Sequence, residues 1–183
     1  MTLANQLTML RIALVPGLVI LVVYAQFGWA LALFALAGVT DGLDGLAARL
    51  RSERTELGAM LDPLADKLLV TASLIVLSVP NPALFVRIPA WIAIVSISRD
   101  ALILLAVLVF HLAIGRRSFT PTFLGKATTV AHLGMILVVL WGNYRGAEHP
   151  LTVPAFAVTI TLVTLSGVQY LYLGHDLLKN EPG

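Results

Sequence analysis

The fold class this sequence predicts is an all-α integral membrane protein with six transmembrane helices and both termini in the cytoplasm. Three observations carry it. Of 183 residues, 58% are hydrophobic and 12% charged, with a mean hydropathy of +0.92. A soluble domain is about half apolar and roughly a quarter charged. Six segments approach the ~20 apolar residues that a membrane helix requires. Arginines gather in alternate connections, as the positive-inside rule demands. The chain reads as a single membrane domain over residues 1–183.

The first segment covers about residues 7–27, with Pro16-Gly17 as a point where the helix can kink. It reads as a retained span, because no basic region precedes its long apolar run. The second covers about 29–48, and the third starts between 58 and 63 and ends near 79. Pro63 suits an early-turn position there. The fourth, fifth and sixth cover about 88–114, 122–141 and 154–174. Pro and Gly mark the joins at Pro80-Asn81-Pro82, Gly115, Pro121, Gly142 and Pro150 to Pro154. Arg49, Arg51, Arg54, Arg116, Arg117 and Lys179 lie on one side; Arg87 and Arg145 lie on the other. The first side is therefore cytoplasmic. Trp29, Trp91 and Trp141 fall near the predicted interfaces and read as aromatic-belt anchors.

Other classes of function are excluded early. There is no cysteine, hence no disulfide and no thiolate metal site. The net charge is +2 and no basic run suggests nucleic acid. His111, His132, His149 and His175 are scattered; His149 and His175 are expected to be exposed, and His132 is a weak candidate for an acceptor pocket.

The chemistry is concentrated elsewhere. Of ten acidic residues, four are the aspartates Asp41, Asp44, Asp62 and Asp66, set in hydrophobic sequence. Carboxylates in a membrane segment are costly and mark functional sites. Spacings of three and four place each pair on one helical face. On a wheel at about 100° per residue, Gly45 and Ala48 share the face of Asp41 and Asp44. Gly58 stands four residues before Asp62, on the same stripe as Asp66. Small residues there let a bulky ligand approach the backbone. Oxygen donors in such a cluster suit hard divalent cations, Mg²⁺ or Mn²⁺. Salt bridges to Arg49, Arg51, Arg54 and Lys67 could account for one or two of the aspartates, but not for four on two glycine-bearing stripes. The expected substrate is phosphate-bearing and reached from the cytoplasm.

The string Asp41-Gly-Leu-Asp44-Gly45-Leu-Ala-Ala48-Arg49, eight residues, Gly58, three residues, Asp62, three residues and Asp66 resembles the whole signature of the CDP-alcohol phosphatidyltransferase family. Asn5, Thr8 and Arg11 are similar to that family's N-x-x-T-x-x-R in helix one. The resemblance implies a six-helix homodimer in the membrane, taken to be the bacterial inner (plasma) membrane, with its active site facing the cytoplasm. It implies transfer of a phosphatidyl group from CDP-diacylglycerol to an alcohol, with release of CMP. Asp41, Asp44, Asp62 and Asp66 would hold two divalent metal ions, and Asp66 would also act as general base. Asn5, Thr8, Asp41, Gly45, Ala48, Arg49 and Gly58 would border the nucleotide.

The acceptor is less strongly marked. Asp62-Pro63-Leu64-Ala65-Asp66-Lys67 resembles the glycerol-type branch, whose members use glycerol 3-phosphate or phosphatidylglycerol. Ser98-Arg99-Asp100 and Pro121-Thr122-Phe123-x-x-Lys126 look closer to the cardiolipin synthases of that branch. Both acceptors carry phosphate, so Arg99 and Lys126 are the candidate acceptor ligands. Neighbouring Arg99 and Asp100 do not face each other on a helix, so a mutual salt bridge is not expected. Two other classes stay open on the aspartates alone: an intramembrane Mg²⁺-dependent prenyltransferase, and a cation transporter using the carboxylates as an ion path.

Overall fold

The computed structural model describes the backbone of residues 3–51, 56–114 and 122–179, and the side chains of 9–40, 67–106 and 122–172. All of its regular structure is helical. The helices are α1 (Leu3–Val23), α2 (Phe27–Arg51), α3 (Glu56–Ser78), α4 (Ala90–Ile114), α5 (Phe123–Arg145) and α6 (Thr152–Lys179). Several helices outrun their apolar segments, because a helix bonds its own backbone and does not have to stop where the hydrocarbon does. α1 begins earlier than expected but ends at Val23, short of the expected boundary. It stays one helix through Pro16.

The ending of α1 has a local cause. Ala25 adopts φ 58°. Its N–H donates to Val22 O at 3.1 Å, and the Gln26 N–H donates to Leu21 O at 2.7 Å. These two bonds form a Schellman motif, which satisfies orphan carbonyls and turns the chain. α5 ends in the same way. Gly146 has φ 63°, with Gly146 N–H to Asn143 O at 3.2 Å and Ala147 N–H to Gly142 O at 3.1 Å.

The chain forms two compact units: Met1–Ile88 with Ile136–Thr152, and Pro89–Met135 with Val153–Gly183. In the first unit, α1 packs on both α2 and α3. Leu18 and Val22 of α1, Ala30, Phe34 and Ala37 of α2, and Leu69, Leu74 and Leu77 of α3 are buried. The i, i+4, i+7 spacing on α2 gives one continuous inner face. Gly17 faces α2: a Cβ there would stand 3.6 Å from Leu33 Cδ1, an ordinary van der Waals contact. Side-chain packing of this kind holds membrane helices together.

The connection after α3 folds back on the same unit. The Ile88 N–H donates to Leu77 O at 3.0 Å, near the end of α3. Asn143 of α5 then grips the buried Val86. Its Oδ1 accepts from Val86 N–H at 3.1 Å, and its Nδ2 donates to Val86 O at 2.7 Å and to Val139 O at 2.8 Å.

The second unit contains α4, the first part of α5, and α6 apart from Thr152. Thr122 caps α5: its Oγ1 accepts from the Gly125 N–H at 3.1 Å, as an N-cap residue does. Hydroxyls link α5 to α6, with Thr128 Oγ1 donating to Leu162 O and Thr159 Oγ1 to Ala131 O, both at 3.3 Å.

Among the described residues, Phe123–Arg145 and Thr152–Tyr172 are long and apolar enough to cross a membrane. Shorter apolar stretches are Met9–Val23, Phe27–Thr40 and Lys67–Ser78. Leu36, Ile94, Leu102 and Leu171 each expose over 60% of their surface. Outward apolar side chains on several helices are what lipid requires and water penalises.

Candidate active site

The first unit carries the aspartates. α2 is helical through Arg51 and α3 from Glu56. Asp41 and Asp44 are therefore three apart within one helix, and Gly58, Asp62 and Asp66 stand at i, i+4 and i+8 in another. Pro63 lies two turns into α3 rather than in its first turn, because the helix begins at Glu56. It has no N–H to give the Ala59 carbonyl. α1, which carries Asn5 and Thr8, packs on both of these helices. The side chains of Asn5, Thr8, Asp41, Asp44, Gly45, Ala48, Arg49, Gly58, Asp62 and Asp66 lie outside the described residues.

Their described neighbours show how polar groups are accommodated here. Thr40, just before Asp41, returns its hydroxyl to Leu36 O and Ala37 O, both at 2.9 Å. Arg11, one turn after Thr8, is buried at 4% exposure. Four carboxylates at helical spacings, with only oxygen donors, fit Mg²⁺ or Mn²⁺ and not a soft metal. The first unit also has an open cavity of about 660 Å³, lined by Ala25, Phe27, Gly28, Trp29 and Tyr144 among others, at the α1–α2 turn. It has no charged lining residue and offers no phosphate chemistry.

The second unit carries Arg99 and Lys126. Arg99 Nη1 reaches Asp100 Oδ1 at 2.6 Å. This corrects the expectation that Arg99 and Asp100 would not form a mutual salt bridge. The long arginine side chain curls back to the short aspartate, although their Cα–Cβ vectors diverge. Arg99 Nη2 donates to Ser166 Oγ on α6. The guanidinium carbon lies 5.6 Å from the centre of the Tyr170 ring. The side chain is 12% exposed. Its Nε is buried and has no hydrogen-bond partner among the described residues.

Gly125 packs closely against this group. A Cβ there would stand 3.2 Å from Thr122 Oγ1, 3.4 Å from Tyr170 Oη and 3.8 Å from Arg99 Nη2. Lys126 is exposed on the first turn of α5. His132 is buried on the same helix. His149 is half-buried rather than exposed, because it precedes α6 closely: its Nδ1 accepts from Leu151 N–H at 3.2 Å and its carbonyl from Thr152 N–H at 2.9 Å. His175 lies outside the described side chains.

Sequence reasoning missed the contribution of α6. Ser166, Gln169 and Tyr170 sit at i, i+3 and i+4, on one face of an otherwise apolar helix. That polar stripe was a readable signal, because such groups in a membrane helix normally face protein.

A model of the CDP-alcohol phosphatidyltransferase family matches residues 1–166. The chain belongs to that family. This CDP-alcohol phosphatidyltransferase is a membrane-protein transferase of phospholipid biosynthesis. It is 35% identical to a CDP-diacylglycerol–glycerol-3-phosphate 3-phosphatidyltransferase of Pectobacterium atrosepticum, over 94% of this chain and 95% of the relative. It is 35% identical to a protein of Mycobacterium tuberculosis named a probable phosphatidylglycerophosphate synthase, over 92% of this chain and 79% of the relative. A Mycobacterium bovis protein named as a cardiolipin synthase is 33% identical, over 78% of this chain and 66% of the relative. Family membership decides for the transferase over the prenyltransferase and transporter readings.

Proposed function

We propose that this phosphatidyltransferase moves the phosphatidyl group of CDP-diacylglycerol to glycerol 3-phosphate and releases CMP. The observation that carries a phosphate-bearing acceptor is the Arg99 guanidinium, whose side chain is 12% exposed and whose Nε has no hydrogen-bond partner among the described residues. A cation held in an apolar helix calls for an anion, and the acceptor brings one as its phosphate. The name of the Pectobacterium relative, matched along almost its whole length, supports glycerol 3-phosphate. Phosphatidylglycerol is the second reading, favoured by the cardiolipin synthase name of the Mycobacterium bovis relative.

In this reading the chain spans the membrane six times as a single domain, with both termini and the site on the cytoplasmic side of a bacterial inner membrane, and works as a homodimer. Asn5, Thr8, Gly45, Ala48, Arg49 and Gly58 border the cytidine nucleotide. Asp41, Asp44, Asp62 and Asp66 would hold two divalent ions, which would supply positive charge to the pyrophosphate and the leaving CMP. Arg99 and Lys126 hold the acceptor phosphate. Asp66 takes the proton from the acceptor hydroxyl as its oxygen bonds to the phosphatidyl phosphorus. The bond from that phosphorus to the CMP oxygen breaks in the same displacement.

The test is direct. Purified protein is incubated with CDP-diacylglycerol and Mg²⁺, and with glycerol 3-phosphate or phosphatidylglycerol, and the lipid product and CMP are identified by mass spectrometry. Phosphatidylglycerophosphate from the first acceptor, abolished by excess chelator, is the expected result. Product from phosphatidylglycerol alone would shift the assignment to cardiolipin synthesis. Full turnover in chelator would remove the metal mechanism.

A further inference from the structure

We propose that α6 aims the Arg99 guanidinium: Ser166 and Tyr170 are positioning residues that fix the direction of this cation and thereby set acceptor affinity. The inference rests on the reading of Arg99 as the acceptor-phosphate ligand. An arginine carries several freely rotating bonds, and fixing them before a ligand arrives lowers the entropy cost of binding. α6 contacts this side chain along its length. Arg99 Cγ would stand 3.7 Å from a Cβ at Gly167, so the helix backbone itself lines the aliphatic stem. Further out, Nη2 donates to Ser166 Oγ, and the Tyr170 ring lies 5.6 Å from the guanidinium carbon. Asp100 holds Nη1 at 2.6 Å. Nη1 and Nη2 each keep a second N–H, and the Nε–H has no partner among the described residues, so the fork retains donors for a ligand oxygen. Leaving a buried charged donor unsatisfied is costly, so a guanidinium held this way favours binding of an anion.

The test measures KM for glycerol 3-phosphate and for CDP-diacylglycerol in purified enzyme carrying Ser166→Ala, Tyr170→Leu, Tyr170→Phe, Arg99→Ala, or Arg99→Ala combined with each of the first two. Tyr170→Leu should raise the acceptor KM roughly threefold to thirtyfold, the range of a partly desolvated cation–π contact. Ser166→Ala should raise it in the same direction. The KM for CDP-diacylglycerol should not move, and Tyr170→Phe, which keeps the ring, should restore most of the affinity. In the Arg99→Ala background neither α6 substitution should add anything, because they act through that one side chain. Additive losses, or equal increases in both KM values, would overturn the positioning role. If Tyr170→Leu does not fold, Ser166→Ala decides by the same criteria. If Arg99→Ala alone leaves the acceptor KM unchanged, the acceptor reading of Arg99 fails and takes this proposal with it; the other negative outcomes remove this proposal only.

Discussion

Ala25 and Gly146 stand at the same position of the same helix-ending motif, yet only one is glycine. A side chain at positive φ costs about 1–2 kcal/mol relative to the right-handed region. Ala25→Gly should therefore raise stability by roughly 1 kcal/mol, seen as a higher midpoint in a thermal scan in detergent. Asn143 is the opposite case, since its amide satisfies both the N–H and the carbonyl of buried Val86. Asn143→Leu leaves both groups unpaired, at about 1–3 kcal/mol each, so the same scan should show a large fall. Asp66 is the proposed general base. On that proposal Asp66→Asn keeps the shape and removes the proton acceptor, so it should lower turnover by about 10²-fold or more while CDP binding weakens far less. Near-normal turnover in that variant would place the base elsewhere.

The six helices were legible because the signal is long: about 20 apolar residues, bounded by Gly and Pro, outweigh any single residue. Their ends were less legible. Nothing in Tyr24-Ala25-Gln26 reads as a helix stop, because the αL position is filled by alanine where glycine is the usual marker. Pro63 misled for a related reason: proline at a first turn is the common case, whereas α3 already has two turns before it. The helical setting of the aspartates was legible from spacing alone, since Asp41 and Asp44 fall within α2 and Asp62 and Asp66 within α3. The grip of α6 on Arg99 was not, because the partner residues are 67 and 71 positions away in sequence, and spacing within one helix says nothing about its neighbours. α2 yields a prediction at this scale. If its polar face receives the nucleotide, Gly45→Leu should abolish CDP-lipid binding, while helix content by circular dichroism stays the same. A folded Gly45→Leu variant with normal CDP-lipid affinity would put the nucleotide on another face.

Neither unit is a continuous run of sequence. The first consists of residues 1–88 and 136–152, so the chain leaves it for α4 and returns through the last part of α5. A chain truncated after residue 135 retains α1, α2 and α3 but lacks Asn143. Its residues 79–88 should be cut by protease faster than in the full chain, and equal protection would show that the Asn143 latch on Val86 is dispensable. The same arrangement has a consequence for how the protein is made. Residue 88 is synthesised well before residue 136 is added. At about 5–20 residues per second the delay is roughly 2–10 s. Throughout that interval the helices bearing the four aspartates are already synthesised, but Val86 has nothing to fasten it. Completion of this unit therefore waits for seconds on residues 136–152, a window in which a chaperone or a protease can reach a chain that already carries the four aspartates and lacks the Asn143 latch.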